Sequence, residues 1–149
     1  MKEKKIAAGM FVLCPKTGRH LLLKRPLDFK WGGFWCSPGG HFDPADEFPK
    51  ATAIREFVEE TGYRGKINIL KTPLLVESDN HLDFYTFLGV VEDEFVPCLK
   101  GEMEGRNEHD DYKWIDLNEA FCQMMPTTAW ILKSKRDIID KTIKKFQDE

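Results

Sequence analysis

Arg55-Glu-Phe-Val-Glu-Glu-Thr-Gly-Tyr63 is the most informative run in this chain, and Gly39-Gly-His-Phe-Asp-Pro-Ala-Asp-Glu47 precedes it. An α-helix turns about 100° per residue, so glutamates at 56, 59 and 60 share one narrow face. Three carboxylates that close together repel one another unless cations neutralise them. Mg²⁺ or Mn²⁺ is the kind of hard ion that such oxygen ligands favour. The spacing therefore predicts a metal-binding helix.

This helix is predicted to span residues 47–61. Pro49 suits a first turn, and Gly62 stands where a helix ends. The opposite side of the helix is expected to be apolar, with Ala51, Ile54, Phe57 and Val58. An ordinary solvated acidic face is the alternative. The Gly-Gly turn before the helix and the glycine at its end favour the metal-binding interpretation.

The two segments strongly resemble the signature of the Nudix hydrolase family, G-x5-E-x7-R-E-U-x-E-E-x-G-U, where U is an apolar residue. Residues 55–63 match it position by position, with Phe57 and Tyr63 as apolar members. Glu47 has the required spacing before Arg55, but one extra residue then separates it from Gly40. Asp46 instead has the required spacing from Gly40, but one extra residue then separates it from Arg55. We favour Glu47 as the first signature acid.

The resemblance implies an α/β/α sandwich with a mixed sheet. It also implies hydrolysis, with a divalent metal, of the diphosphate linkage in a nucleoside diphosphate derivative. The metal ligands carried over from the family are Glu56, Glu59 and Glu60, and Glu59 is also placed among the catalytic residues. Arg55 is expected either to brace the loop or to meet substrate phosphate.

A further acid in this family often comes from the loop opposite the helix, a few residues before a strand tryptophan. Glu108, ahead of Trp114, fits that place as the water-activating base or as an extra metal ligand. The competing acids in this loop are Glu102, Glu104, Asp110 and Asp111. His41 and His109 could touch phosphate or carry protons, although loop histidines are more often bystanders.

Substrate contacts are expected in the glycine-rich segment 30–44. Gly39 and Gly40 are predicted to approach the substrate closely, and the neighbouring Trp31 and Phe34 are predicted to stack on its base. The other candidate aromatics lie on predicted strands, where core packing is the more usual role: Trp35, Phe84 and Tyr85.

The rest of the chain reads as a single α/β domain over residues 1–149. A hairpin is predicted from residues 6–13 and 20–24, short strands at 34–37 and 112–115, and longer strands at 66–76 and 81–91. Asp79-Asn80 is expected to mark a bend. Residues 116–119 have the spacing of a capping box that opens a second helix, and an amphipathic helix is predicted beyond Pro126.

Composition limits the partners of the protein. The 22 basic and 25 acidic side chains show no basic stripe, which argues against a polynucleotide ligand. No apolar run is long enough to cross a bilayer. The four cysteines form no C-x-x-C pair, so we expect a reduced, cytoplasmic setting. The protein is expected to be a monomer or homodimer.

The preferred substrate is a nucleoside or deoxynucleoside triphosphate cut to monophosphate and pyrophosphate, because the chain is minimal and lacks an added recognition domain. A pyrophosphatase acting on ADP-ribose, a nucleotide sugar or a dinucleoside polyphosphate is the main alternative. A non-catalytic nucleotide-binding or protein-binding module is a third possibility, which missing helix glutamates would have favoured.

Overall fold

The computed structural model describes residues 3–99, 102–103 and 106–148. Its strands are β1 Lys5–Cys14, β2 Arg19–Lys24, β3 Trp35–Cys36, β4 Gly39–His41, β5 Asn68–Ile69, β6 Leu75–Ser78, β7 Leu82–Val90, β8 Glu102–Met103, β9 Arg106–Asn107 and β10 Asp111–Asp116. Its helices are α1 Pro49–Thr61, α2 Pro126–Ser134 and α3 Arg136–Gln147. The predicted α/β class is confirmed.

The main sheet runs in the order β10-β2-β1-β7-β5. Strand β1 pairs in parallel with the whole of β7, whereas β1 and β2 form the predicted antiparallel hairpin. Three short strands extend the sheet, since β3 pairs with β2, β4 with β1, and β6 with β7. The sheet is therefore mixed, as predicted, and β1 is buried along most of its length at its centre.

Helices cover both faces of the sheet. Because side chains alternate along a strand, Met10 of β1 packs with Phe57 of α1, while Phe11 packs with Ile131 of α2 and Ile139 of α3. These two clusters form the core on either side of β1. The result is an α/β/α sandwich with α1 on one face.

Helix α1 begins later than predicted. The chain first makes a short 3-10 turn, Pro44–Asp46, after which Glu47 adopts the left-handed region at φ 68° and interrupts the helical path. Gly62 ends the helix as predicted, with φ 69° and its N–H bonded to the Val58 carbonyl at 2.8 Å. The predicted apolar side is wrong at Val58, which is exposed.

The region predicted as one strand over residues 66–76 is two short strands, β5 and β6. Pro73 lies between them and has no N–H to donate to a ladder. The bend before β7 is confirmed, because the Asp79 carboxylate accepts the N–H groups of His81 and Leu82 at 2.7 and 2.8 Å. The chain therefore turns sharply into β7.

The prediction that residues 116–119 open a second helix is wrong. Asp116 accepts the Asn118 N–H with its side chain and the Glu119 N–H with its carbonyl, which closes a turn and not a helix. The amphipathic segment beyond Pro126 is two helices, because Lys135 leaves the helical region at φ −118°.

Across residues 3–99, 102–103 and 106–148, the structure contains no helix of the length and apolar character that a membrane span requires. All four cysteines carry free thiols.

Candidate active site

Gly39 and Gly40 lie in strand β4 and not in the turn predicted for them. A Cβ on Gly39 would stand 2.9 Å from the Ala8 carbonyl oxygen, and one on Gly40 would overlap the Glu56 carboxylate. The Gly39 N–H donates a hydrogen bond of 3.0 Å to Glu60 Oε2. The two glycines therefore let helix α1 bring its acids directly against the sheet.

Three carboxylates converge at this point: Glu56 and Glu60 from α1, and Glu108 from the segment between β9 and β10. One oxygen of each lies within 4.8 Å of the others. Their spacing of four residues places Glu56 and Glu60 on one side of the helix, and the fold turns that side inward. Glu60 is 3% exposed. This cluster joins two of the predicted helix ligands to the predicted loop acid.

The cluster carries more negative charge than a protein interior tolerates alone. Burial raises the pKa of Glu60 well above its usual range, with further contributions from Glu108 and Glu56. Burial also raises the pKa of Glu108, and repulsion from Glu56 adds to it. A donor set of three carboxylates under such repulsion fits a hard divalent cation.

Glu59 lies outside this cluster. Its side chain is 56% exposed, and its carboxylate contacts Arg55 Nη1 at 3.3 Å. The role of Glu59 as a metal ligand, which came from the family resemblance, stays a prediction.

Arg55 binds Asp46 with a two-pronged contact. Arg55 Nε donates to Asp46 Oδ1 at 2.9 Å and Nη2 donates to Oδ2 at 3.0 Å. The same guanidinium donates to the His41 carbonyl at 3.0 Å and to Glu56 Oε1 at 3.0 Å. Arg55 therefore ties the loop before α1 to the acidic face of the helix.

Asp46, and not the favoured Glu47, occupies the inward position. Its side chain is 6% exposed and also accepts the Thr52 hydroxyl at 2.8 Å. The hydrogen bonds from Arg55, followed by the one from the Asp43 N–H, hold the pKa of Asp46 well below its usual range. Glu47 is exposed. The preference for Glu47 is therefore corrected, and the glycine spacing was the signal that identified Asp46.

Two of the competing loop acids, Asp110 and Asp111, do not belong to the cluster. Asp110 and Asp111 are both exposed, and Asp111 accepts the N–H of Tyr112 at 2.8 Å. Glu104 and the side chain of Glu102 lie outside the described residues.

His109 is part of the site, although the sequence offered no sign of its burial. It is 3% exposed, with Nδ1 3.5 Å from Glu60 Oε1 and Nε2 3.7 Å from Cys36 Sγ. Burial, followed by the positive charge of Arg25, lowers the pKa of His109 to about 4. The imidazole is therefore neutral at neutral pH. His41, by contrast, is exposed.

A cavity of about 310 Å³ opens beside the acids, and its lining includes Arg25, Lys30, Gly39, Gly40, His41, Glu60 and His109. Arg25 Nε is bonded to the Lys30 carbonyl at 2.8 Å, which holds this corner of the loop together. The lining of the cavity thus combines two cationic side chains with Glu60 of the acidic cluster, an arrangement suited to a metal-complexed phosphate chain.

Of the two residues predicted to stack on the base, only Trp31 is in the lining of this cavity. Trp31 lines this cavity and is 46% exposed, whereas Phe34 meets the Trp31 ring edge-on with centroids 5.2 Å apart. Tyr85 packs against the core, and Lys113 Nζ lies 4.4 Å from the Trp35 ring centre. Phe84, for which core packing was the more usual expectation, lines the cavity.

Comparison with known proteins gives a consistent picture. The model of the NUDIX domain family matches residues 3–137. The chain is 31% identical over 139 residues to dihydroneopterin triphosphate diphosphatase of Haemophilus influenzae, covering 80% of each protein. It is 33% identical over 85 residues to putative 8-oxo-dGTP diphosphatase of Bacillus subtilis, a match that spans 54% of this chain and about half, 54%, of that relative.

Solved structures show the same fold. A Nudix hydrolase from M. smegmatis, RenU, superposes with a TM-score of 0.74 at 17% identity, covering 95% of this chain and 89% of that one. A C. elegans Ap4A hydrolase gives a TM-score of 0.68 at 20% identity, covering 92% and 98%. At these identities the likeness shows the architecture alone.

Proposed function

We propose that this chain, which belongs to the NUDIX domain family, is a pyrophosphohydrolase that cuts a nucleoside triphosphate, or a close heterocyclic relative, to monophosphate and pyrophosphate. The observation that carries this proposal is the cluster of Glu56, Glu60 and Glu108 beside a cavity lined by Arg25 and Lys30. Carboxylates that can hold a metal cation and basic side chains that can bind phosphates therefore lie at one site.

The relatives support a triphosphate. The names of these two sequence relatives specify a triphosphate, 8-oxo-dGTP in one and dihydroneopterin triphosphate in the other. Each of these compounds joins its phosphates to a sugar or side chain on a flat two-ring system. The same ligand class suits a cavity that combines cationic and aromatic side chains.

In this proposal Glu56, Glu60 and Glu108 hold the divalent cation, Mg²⁺ or Mn²⁺, and Glu59 completes the set from the exposed edge of the helix. The cation, when bound, supplies charge neutralisation at the phosphates and makes a water molecule easier to deprotonate. The carboxylates of Glu56 and Glu60 are held in place by Arg55 and by the Gly39 N–H.

The remaining residues act on the phosphates and on the proton of the attacking water. Arg25 and Lys30 neutralise phosphate oxygens at the mouth of the cavity. Glu108 is partly exposed and burial raises its pKa, and in this proposal it accepts the proton of the attacking water. The neutral His109 accepts or donates a hydrogen bond without adding charge to the cluster.

A substrate panel with product identification tests the proposal. The panel contains dGTP, 8-oxo-dGTP, ATP, dihydroneopterin triphosphate, ADP-ribose and Ap4A, each with Mg²⁺ and with Mn²⁺. Phosphorus NMR should show pyrophosphate and a monophosphate from at least one triphosphate. Cleavage confined to ADP-ribose or Ap4A would assign the main alternative, and turnover of none of the compounds would favour a non-catalytic binding module.

A further inference from the structure

Cys36 and His109 bring a thiol and an imidazole together beside the acidic cluster. Cys36 Sγ lies 3.7 Å from His109 Nε2, and both residues line the cavity of about 310 Å³. In the proposed function neither residue is a ligand of the cation that the three carboxylates hold. They therefore form a separate pair of sulfur and nitrogen donors on the same cavity.

Strand β2 places this pair. Leu23 of β2 pairs with Cys36 of β3, and the carbonyl of the next residue, Lys24, accepts the Asp110 N–H at 3.1 Å. Asp110 directly follows His109 in the chain. The backbone bonds of one strand therefore hold both donors, and the short distance between thiol and imidazole follows from the sheet.

The separation of the two donors matches that of two ligands on one tetrahedral ion. Zinc–sulfur bonds are about 2.3 Å long and zinc–nitrogen bonds about 2.0–2.1 Å, so a tetrahedral ion holds its sulfur and nitrogen ligands about 3.6 Å apart. The distance from Cys36 Sγ to His109 Nε2 is 3.7 Å. The pair can therefore accept such an ion with little movement of either side chain.

Glu60 orients the imidazole in the way that metal-binding histidines are usually oriented. His109 Nδ1 lies 3.5 Å from Glu60 Oε1, while Nε2 is the nitrogen that faces the thiol. Histidines that bind metals generally donate the hydrogen of their second ring nitrogen to a carboxylate or a carbonyl. A hydrogen placed between Nδ1 and Glu60 leaves the Nε2 lone pair directed at Cys36.

The donors of this pair differ in kind from those of the carboxylate cluster. Mg²⁺ and Mn²⁺ favour oxygen ligands, whereas thiolate and imidazole favour ions such as Zn²⁺. Met125, whose thioether is another soft sulfur, lines the same cavity. Within the part of the chain that the structure describes, no third cysteine, histidine or acid joins the pair in a group of ligand atoms within 4.8 Å. The other coordination positions are therefore left to water.

We propose that Cys36 and His109 form a second cation site, which binds a thiophilic ion such as Zn²⁺ or Cd²⁺ and is distinct from the carboxylate cluster. The ion bonds to Sγ and Nε2 and takes its remaining ligands from water in the cavity. Burial, followed by the charge of Glu60, raises the pKa of the Cys36 thiol to about 12, so the thiol keeps its proton until a cation displaces it to solvent. A thiophilic ion and Mg²⁺ can therefore occupy the protein together.

Titration of the full chain with Cd²⁺ in excess Mg²⁺ tests the second site, because a cadmium–thiolate bond absorbs in the ultraviolet. The exposed Cys98 and Cys122 are first replaced by serine, so that their thiols do not contribute. In this background we expect a single equivalent of Cd²⁺ to give the thiolate absorbance. Cys36→Ser should abolish the absorbance, and His109→Gln should weaken Cd²⁺ binding at least about tenfold. Cys14→Ser, at a buried thiol outside the cavity, is the matched control and should keep the absorbance.

Persistent absorbance in Cys36→Ser, undiminished affinity in His109→Gln, or no absorbance in the background protein would overturn the second site. Loss of the absorbance on addition of Mg²⁺ would also overturn it, because the two ions would then compete for one site. Cys36→Ala and His109→Asn replace either variant if its melting temperature without metal falls. The outcome is independent of the proposed function, because cadmium binding is measured without substrate and triphosphate cleavage is tested by the panel.

Discussion

The Asp46 carboxylate receives two hydrogen bonds from the Arg55 guanidinium, at 2.9 and 3.0 Å. The planar fork of arginine matches the two oxygens of a carboxylate, so the contact fixes direction as well as distance. It connects the loop that follows β4 with the helix that carries Glu56 and Glu60. Positioning of the acids therefore depends on a pair of side chains that do not themselves belong to the cluster.

Replacing Asp46 by Asn should destabilise the protein by about 1–3 kcal/mol, because Arg55 loses its charged partner while keeping its place. Urea denaturation at pH 7 measures the free energy of unfolding. Glu47→Gln is the matched control and should change it by less than about 0.5 kcal/mol, since Glu47 is exposed. A larger cost for Glu47→Gln than for Asp46→Asn would restore Glu47 as the structural acid.

Replacing Glu60 by Gln should abolish hydrolysis and remove the stabilisation that Mn²⁺ gives to the parent. Without metal, the melting temperature of the variant should equal or exceed that of the parent, because one of three mutually repelling carboxylates has been neutralised. Melting curves with and without Mn²⁺ measure both effects. Unchanged metal stabilisation in Glu60→Gln would remove Glu60 from the ligand set.

The companion variant, Glu59→Gln, tests the ligand that the structure leaves at the edge of the cluster. The family resemblance predicts loss of activity at subsaturating metal, and the exposure of Glu59 predicts an unaltered melting temperature in the absence of metal. Parental turnover under those conditions would show that the exposed carboxylate is not needed.

Glu108→Gln should lower the catalytic rate about 10²–10⁴-fold, the usual range for a positioned base, with little change in melting temperature. The pH profile separates its two possible roles, because loss of a base flattens the acidic limb whereas loss of a ligand raises the metal requirement. Asp110→Asn and Asp111→Asn are controls on exposed neighbours. Should either control lose activity while Glu108→Gln keeps it, the loop assignment would be wrong.

His20 should make the protein acid-sensitive. It is fully buried on Phe11, with ring centroids 4.6 Å apart, and burial lowers its pKa to about 3, with Arg136 contributing less. In the unfolded chain His20 takes up a proton below about pH 6.5, whereas in the folded protein it stays neutral down to about pH 3. Protonation therefore favours the unfolded chain below about pH 6.5 and has no effect on stability above that pH. Stability should be lost between about pH 6.5 and 3, at up to about 1.4 kcal/mol per pH unit.

Urea unfolding at pH 7, 6 and 5 checks this effect. His20→Phe should show a shallower fall in stability than the parent, and His81→Gln, at an exposed position, should follow the parent. Equal slopes in the parent and His20→Phe would contradict a buried, neutral imidazole at position 20.

Helix α1 was readable from the sequence because its information is local. Glu56 and Glu60 are four residues apart, which alone aligns them on one side of a helix, and Gly62 ended the helix as predicted. The residue at which the helix begins could not be predicted from the sequence. Arg55 binds Asp46 and not the adjacent Glu47. The sequence did not decide between them, because each acid satisfied one of the two signature spacings and missed the other by one residue.

Tertiary structure decided everything that joins distant parts of the chain. Glu108 reaches Glu60, and His109 meets Cys36, because antiparallel pairing of β1 with β4 and of β2 with β3 and β10 sets those registers. The burial that makes His109 neutral follows from the same packing. Spacing within a helix is a property of the backbone, but contact across the sheet depends on the strands' pairing, which no short motif contains.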